Sequence, residues 1–117
     1  MNNSVTSLDE NLLKIYRTRP AAKFRGKSIS SHYNDILVGL CTPPVRLGMR
    51  ASGYPLYELY ILNAVQIAGK LPDEIKGIVK FLEMRRGTII QPSDLQNLMA
   101  ELAEKWNLPC SQGGELV

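Results

Sequence analysis

Between Lys14 and Lys27 the chain places six bases, Lys14, Arg17, Arg19, Lys23, Arg25 and Lys27, with no acid among them. Cations at that density neutralise phosphates and release the counterions condensed on a polyanion, so the stretch reads as a nucleic-acid contact. Tyr16 and Phe24 are interleaved with the bases and offer rings for stacking on unpaired bases. Arg46 and Arg50, around the break from Pro43 to Gly53, join the set. Phosphate contacts position a protein without reading sequence, and no base-reading residue is legible. The competing reading is a solvated basic arm with no ligand.

Other chemistry has simpler explanations. Phe24-Arg25-Gly26-Lys27-Ser28 ends like a phosphate-binding loop, but the first glycine of that motif would fall at Ala21 and no buried strand precedes it. His32 is the sole histidine, and neither Cys41 nor Cys110 stands at ligand spacing from it, so no zinc site and no cofactor are expected. His32 reads as a surface residue opening a helix, and Cys41 as a small buried hydrophobe. The two cysteines do not make a disulfide framework. Asp73-Glu74 suits the positive end of a helix, and no nucleophile stands beside an orienting base, so the chain is read as not an enzyme.

The elements that must carry these residues follow from caps and apolar spacing. Ser7-Leu8-Asp9-Glu10 is a capping box that opens a first helix over about 8–18. Pro20 disfavours helical geometry at Arg19, and with Gly26 it makes 19–29 a basic connector. From Ser30 or Ser31, the spacing of Tyr33, Ile36, Leu37, Leu40 and Cys41 predicts a second helix, which Thr42-Pro43-Pro44 ends. A short helical turn through Val45, Leu47 and Met49 follows, since proline is tolerated at a first helical position, with a break at Ser52-Gly53.

Residues 54–68 are almost continuously apolar, which predicts a central helix covered on most sides; a buried strand pair is the competitor, but the length without an internal turn signal and the stop at Gly69 favour the helix. Pro72-Asp73-Glu74 opens the next helix and Arg85-Arg86-Gly87 closes it, in the charge order that suits the helix dipole; Gly77 within it allows close packing. Thr88-Ile89-Ile90 is an extended link. A last helix over 92–106 carries Leu95, Leu98, Met99, Leu102, Ala103 and Trp106 on one stripe, and 107–117 reads as a flexible tail. The expected fold is all-α, a single-domain bundle of about five helices over 1–106.

Within it, Ile36 to Val65 has the rhythm of a helix-turn-helix, but its second helix is too apolar to face a groove. Tyr54, Tyr57 and Tyr60 recur every three residues; core packing is the first expectation for them and a subunit interface the second.

Composition sets the class. Of 117 residues, 44% are hydrophobic and 21% charged, which is ordinary for a globular protein. The net charge is +3, yet residues 1–50 hold eight Lys/Arg against three Asp/Glu, and residues 51–117 hold six against eight. Potential follows that local arrangement, so the first half is where a polyanion is expected. No apolar run approaches the roughly 18–20 residues of a membrane span, and the N-terminus opens no signal or transit peptide, so a cytoplasmic protein without a membrane partner is expected.

Arg46-Leu47-Gly48-Met49, preceded by a helical apolar stretch and followed by a helix containing Leu62, resembles the middle of the FlhD family, the smaller subunit of the flagellar master transcriptional activator. The resemblance covers about residues 33–68. It implies a mostly helical regulatory subunit that oligomerises and acts on DNA alongside a larger zinc-containing partner; no site residue is transferred from it. The expectation is therefore a small regulatory DNA-binding protein or transcriptional regulator subunit, working as a homo- or hetero-oligomer or within a complex. The alternative is a protein–protein adaptor or chaperone-like protein, docking through the Tyr54/Tyr57/Tyr60 helix or the last helix.

Overall fold

Residues 12–107 are described by a computed structural model. In chain order they form β1 (Ile15–Tyr16), α1 (Thr18–Phe24), α2 (Ile29–Leu37), β2 (Val45–Arg46), β3 (Ser52–Pro55), α3 (Leu56–Ile67), α4 (Pro72–Met84), a 3-10 turn (Arg86–Thr88) and α5 (Pro92–Trp106). The molecule is mostly helical, but the all-α expectation is corrected by a small antiparallel sheet in the order β1-β3-β2. Ile15 lies opposite Pro55 and Tyr16 opposite Tyr54, while Val45 and Arg46 face Gly53 and Ser52. The Leu56 amide donates to the Lys14 carbonyl and the Leu47 amide to the Ala51 carbonyl, both at 2.8 Å, which extends each pairing by one bond.

The sheet depends on Gly53. A Cβ there would sit 2.5 Å from Ile15 Cγ2 and 2.9 Å from the Tyr16 carbonyl oxygen, so only glycine lets β1 approach β3 this closely. Ser52-Gly53, expected as a break, is therefore the central strand. Val45 and Arg46, expected in a helical turn, pair with it instead.

Near the N-terminus, residues 15 and 16 are strand where the first helix was expected; the capping box at Ser7–Glu10 and the tail from 108 lie outside the described residues. The expected connector contains α1. Pro20 is its third residue, where the missing N–H has no intrahelical acceptor and costs nothing. Gly26, at φ +73°, turns the chain out of α1, and the Lys27 amide closes the end by donating to the Ala22 carbonyl at 2.9 Å. Ser28 Oγ then accepts from the Ser31 amide at 3.1 Å and starts α2. So the Gly-Lys-Ser sequence is a helix stop followed by a helix start. The same kind of closure at Gly39 ends α2 before Cys41.

The later helices follow their local signals. Glu74 accepts from the Leu71 amide at 3.1 Å, and Asp94 accepts from the Ile90 and Gln91 amides at 2.9 and 3.1 Å. Each carboxylate fills orphan donors at a helix start that has proline at its first position. α3 buries Leu59, Leu62 and Val65 against Ile75, Ile78 and Leu82 of α4, and Leu95, Leu98 and Leu102 of α5 complete one continuous core. Trp106 lies on Gly77, where a Cβ would be 3.3 Å from its ring, and meets Phe81 edge-on at 5.5 Å. Among the described residues no helix is long and apolar enough to cross a membrane.

Candidate nucleic-acid interface

From residue 12 to residue 72 the chain contains two acids, Asp35 and Glu58, and both are buried and ion-paired. Over the same span Lys14, Arg17, Arg19, Lys23, Arg46 and Arg50 are exposed, and none has an acidic partner among the described residues. Arg19 and Lys23 are one turn apart on α1 and share a face. Lys14 and Arg17 flank β1 at one edge of the sheet, while Arg46 lies on β2 at the other and Arg50 in the turn that follows. From residue 12 to residue 72 the chain therefore exposes cations and no acid, which is the arrangement that attracts a polyanion.

Two of the eight bases singled out in the sequence have another task. The Arg25 side chain is only 3% exposed. Its Nη2 donates to Asp35 Oδ2 at 2.9 Å, and Lys27 Nζ reaches the same oxygen at 2.9 Å. Arg25 Nη1 lies 3.0 Å from His32 Nδ1. A guanidinium carries no acceptor, so Nδ1 must accept, and the imidazole is neutral with its hydrogen on Nε2. Arg25 thereby fastens α1 to α2 and is not a surface contact.

Lys27 keeps a partly exposed side chain but is held by Asp35. Burial alone would raise the Asp35 carboxyl; the hydrogen bonds from Lys27 and Arg25 outweigh it and hold the group below its usual range.

His32, expected at the surface, is fully buried. Burial first, then the charge of Arg25, push its pKa below the ordinary value. The Tyr54 ring stands edge-on to the imidazole at 4.7 Å. Arg25 Nε, His32 Nε2, Thr42 Oγ1 and Tyr54 OH are buried without a hydrogen-bond partner among the described residues. Burial pushes the Tyr54 hydroxyl up; the Thr18 hydroxyl eases this without completing a hydrogen bond. Burial also raises the Cys41 thiol, as suits the buried hydrophobe expected there.

A second ion pair has a fully buried carboxylate, Glu58. Arg86 donates through Nε and Nη2 to Glu58 at 2.7 Å each, and through Nη2 to the Pro43 carbonyl at 2.6 Å. This ties α3, the 3-10 turn and the Pro43 loop together. Tyr54 and Tyr57 are core residues at 0% and 4% exposure, and only Tyr60 of the tyrosine stripe reaches solvent. Burial, then the Glu58 charge, push the Tyr57 hydroxyl up.

Beside the cationic surface, the α1–α2 turn and the C-terminal half of α3 enclose an open groove of about 310 Å³. Lys23, Phe24, Gly26 and Lys27 form one wall, and Asn63, Gln66 and Ile67 the other. Asn63 Nδ2 donates to the Phe24 carbonyl at 3.2 Å and bridges the walls. The α3 residues were invisible to sequence reading because they lie some 40 positions from the basic stretch. The one usable signal was the polar pair Asn63 and Gln66 in the second half of a helix that is otherwise apolar apart from Glu58. Another hollow, beside Arg85, Asp94 and Glu101, contains two acids and does not suit a polyanion.

Among the described residues no three His, Cys, Asp or Glu side chains gather to hold a metal. The residues Arg46-Leu47-Gly48-Met49 lie in β2 and the turn leading to β3. No protein-family model, curated protein or solved structure matches this chain.

Proposed function

We propose that this protein is a small regulatory protein that binds nucleic acid, DNA in the first instance, through the phosphate backbone, and that it works as an oligomer or within a complex. The observation that carries the binding is the exposure of Lys14, Arg17, Arg19, Lys23, Arg46 and Arg50 in a span, residues 12–72, whose two acids are both buried. The regulatory role and the assembly rest on the resemblance drawn from residues 33–68. Replacing Arg17, Arg19 and Lys23 together with glutamine tests the binding. The expected result is a loss of affinity by a similar factor on unrelated duplexes, with a salt dependence shallower by about 0.9 in log–log slope for each contact removed. Unchanged binding refutes the reading.

A second reading, an adaptor for a protein partner, is favoured by the outward face of α2, where Tyr33 and Leu37 are 50% and 84% exposed one turn apart and Val38 continues the patch. A discrete complex that survives nuclease and high salt would support it.

A further inference from the structure

We propose that the groove between the α1–α2 turn and α3 seats one unpaired nucleobase, so that the preferred ligand of the cationic surface is a single strand; this rests on the nucleic-acid reading above. Lys23 belongs to both the cationic surface and the groove wall, so a backbone crossing α1 passes the groove mouth. Phe24 is 38% exposed there, with its ring set edge-on to Tyr16 at 6.0 Å. A fixed, partly bare aromatic ring beside a phosphate-binding cation is the arrangement on which unpaired bases stack.

Opposite it, Gln66 is exposed on α3 and its amide offers both a donor and an acceptor, while Asn63 spends one donor on the Phe24 carbonyl and keeps its oxygen. Such amides pair with the edge of a base that has left its stack. Ile67, 86% exposed at the groove, gives the base an apolar surface to cover. The space at Gly26 is open, with no atom within 4 Å of the position a Cβ would take. A base within a duplex is stacked on both faces and its pairing edge is occupied, so it cannot reach a recess between two elements.

The test is fluorescence anisotropy with a labelled mixed-sequence single strand and its blunt duplex at one salt concentration, using the full chain, Gln66→Ala and Phe24→Leu. The native protein is expected to bind the single strand more tightly by roughly five- to 150-fold, the span of one stacking contact. Gln66→Ala and Phe24→Leu are expected to lose affinity for the single strand and to leave duplex affinity unchanged. Gln66 is on an exposed helical surface, so that variant carries the test if Phe24→Leu melts early. Equal affinity for both ligands, or equal losses on both, overturns the base groove and leaves the cationic surface standing. Binding to neither overturns both.

Discussion

Asp35→Ala removes the one acid between two cations, and its cost follows from how enclosed each partner is. The side chain of Arg25 is 3% exposed and that of Asp35 10%, whereas Lys27 is 30% exposed and can turn its ammonium to water. Removing one member of a buried pair costs about 3–5 kcal/mol, because the remaining charge stays desolvated. Arg25 has no such escape, since it is also held against the buried His32. Asp35→Ala is therefore expected to cost about 3–5 kcal/mol, a large part of the roughly 5–15 kcal/mol that stabilises a domain.

Lys27→Ala, by contrast, should cost about 1 kcal/mol or less, as for other partly exposed pairs. Replacing both buried partners, Arg25→Met with Asp35→Leu, should recover most of the loss. Urea denaturation followed by circular dichroism measures all three variants. Asp35→Ala within about 1 kcal/mol of the native protein, or Lys27→Ala as costly as Asp35→Ala, would refute the assignment of Arg25 as the buried partner.

Two further outcomes come from the same cluster and the sheet. His32 has a folded pKa below its ordinary 6.5, so folding disfavours its protonation; stability should be full above that value and fall as pH drops through it toward the folded pKa. His32→Asn should flatten that segment of a stability–pH curve, and an unchanged slope would assign it to another group. Asp35 acts in a lower window, contributing stability above its ordinary 3.8 that is lost as pH falls through its depressed value. Gly53→Ala should cost about 1–3 kcal/mol by forcing Ile15 and the Tyr16 carbonyl away from β3, and a melt superimposable on the native one would show that the sheet absorbs the methyl freely.

The helices α4 and α5 were legible because their signals are local: proline at the first position, a carboxylate three residues past the cap, and an apolar stripe at helical spacing; α3 was legible from its nearly continuous apolar run. The sheet was not, because Tyr16 meets Tyr54 and Ile15 meets Pro55 across nearly 40 residues, and strands of two to four residues have no periodicity to detect. Pro20 misled as a helix breaker because its effect depends on position, and three residues into α1 it removes no bond.

In the candidate site, six of the eight chosen bases are exposed as expected of phosphate contacts. Arg25 is not, and the missed signal was Asp35 itself, the one acid between Lys14 and Arg50, which draws a cation inward. Tyr54 was expected first in the core and second at an interface, and the structure shows the first.

The most direct test of the cationic surface is the salt dependence of binding to a random duplex and to a single strand, with nuclease-treated protein. If Lys14, Arg17, Arg19, Lys23, Arg46 and Arg50 all meet phosphates of a duplex, the logarithm of the binding constant falls against the logarithm of salt concentration with a slope near −5, since each contact contributes about −0.9. Absence of binding at low salt, or binding indifferent to salt, would contradict the account.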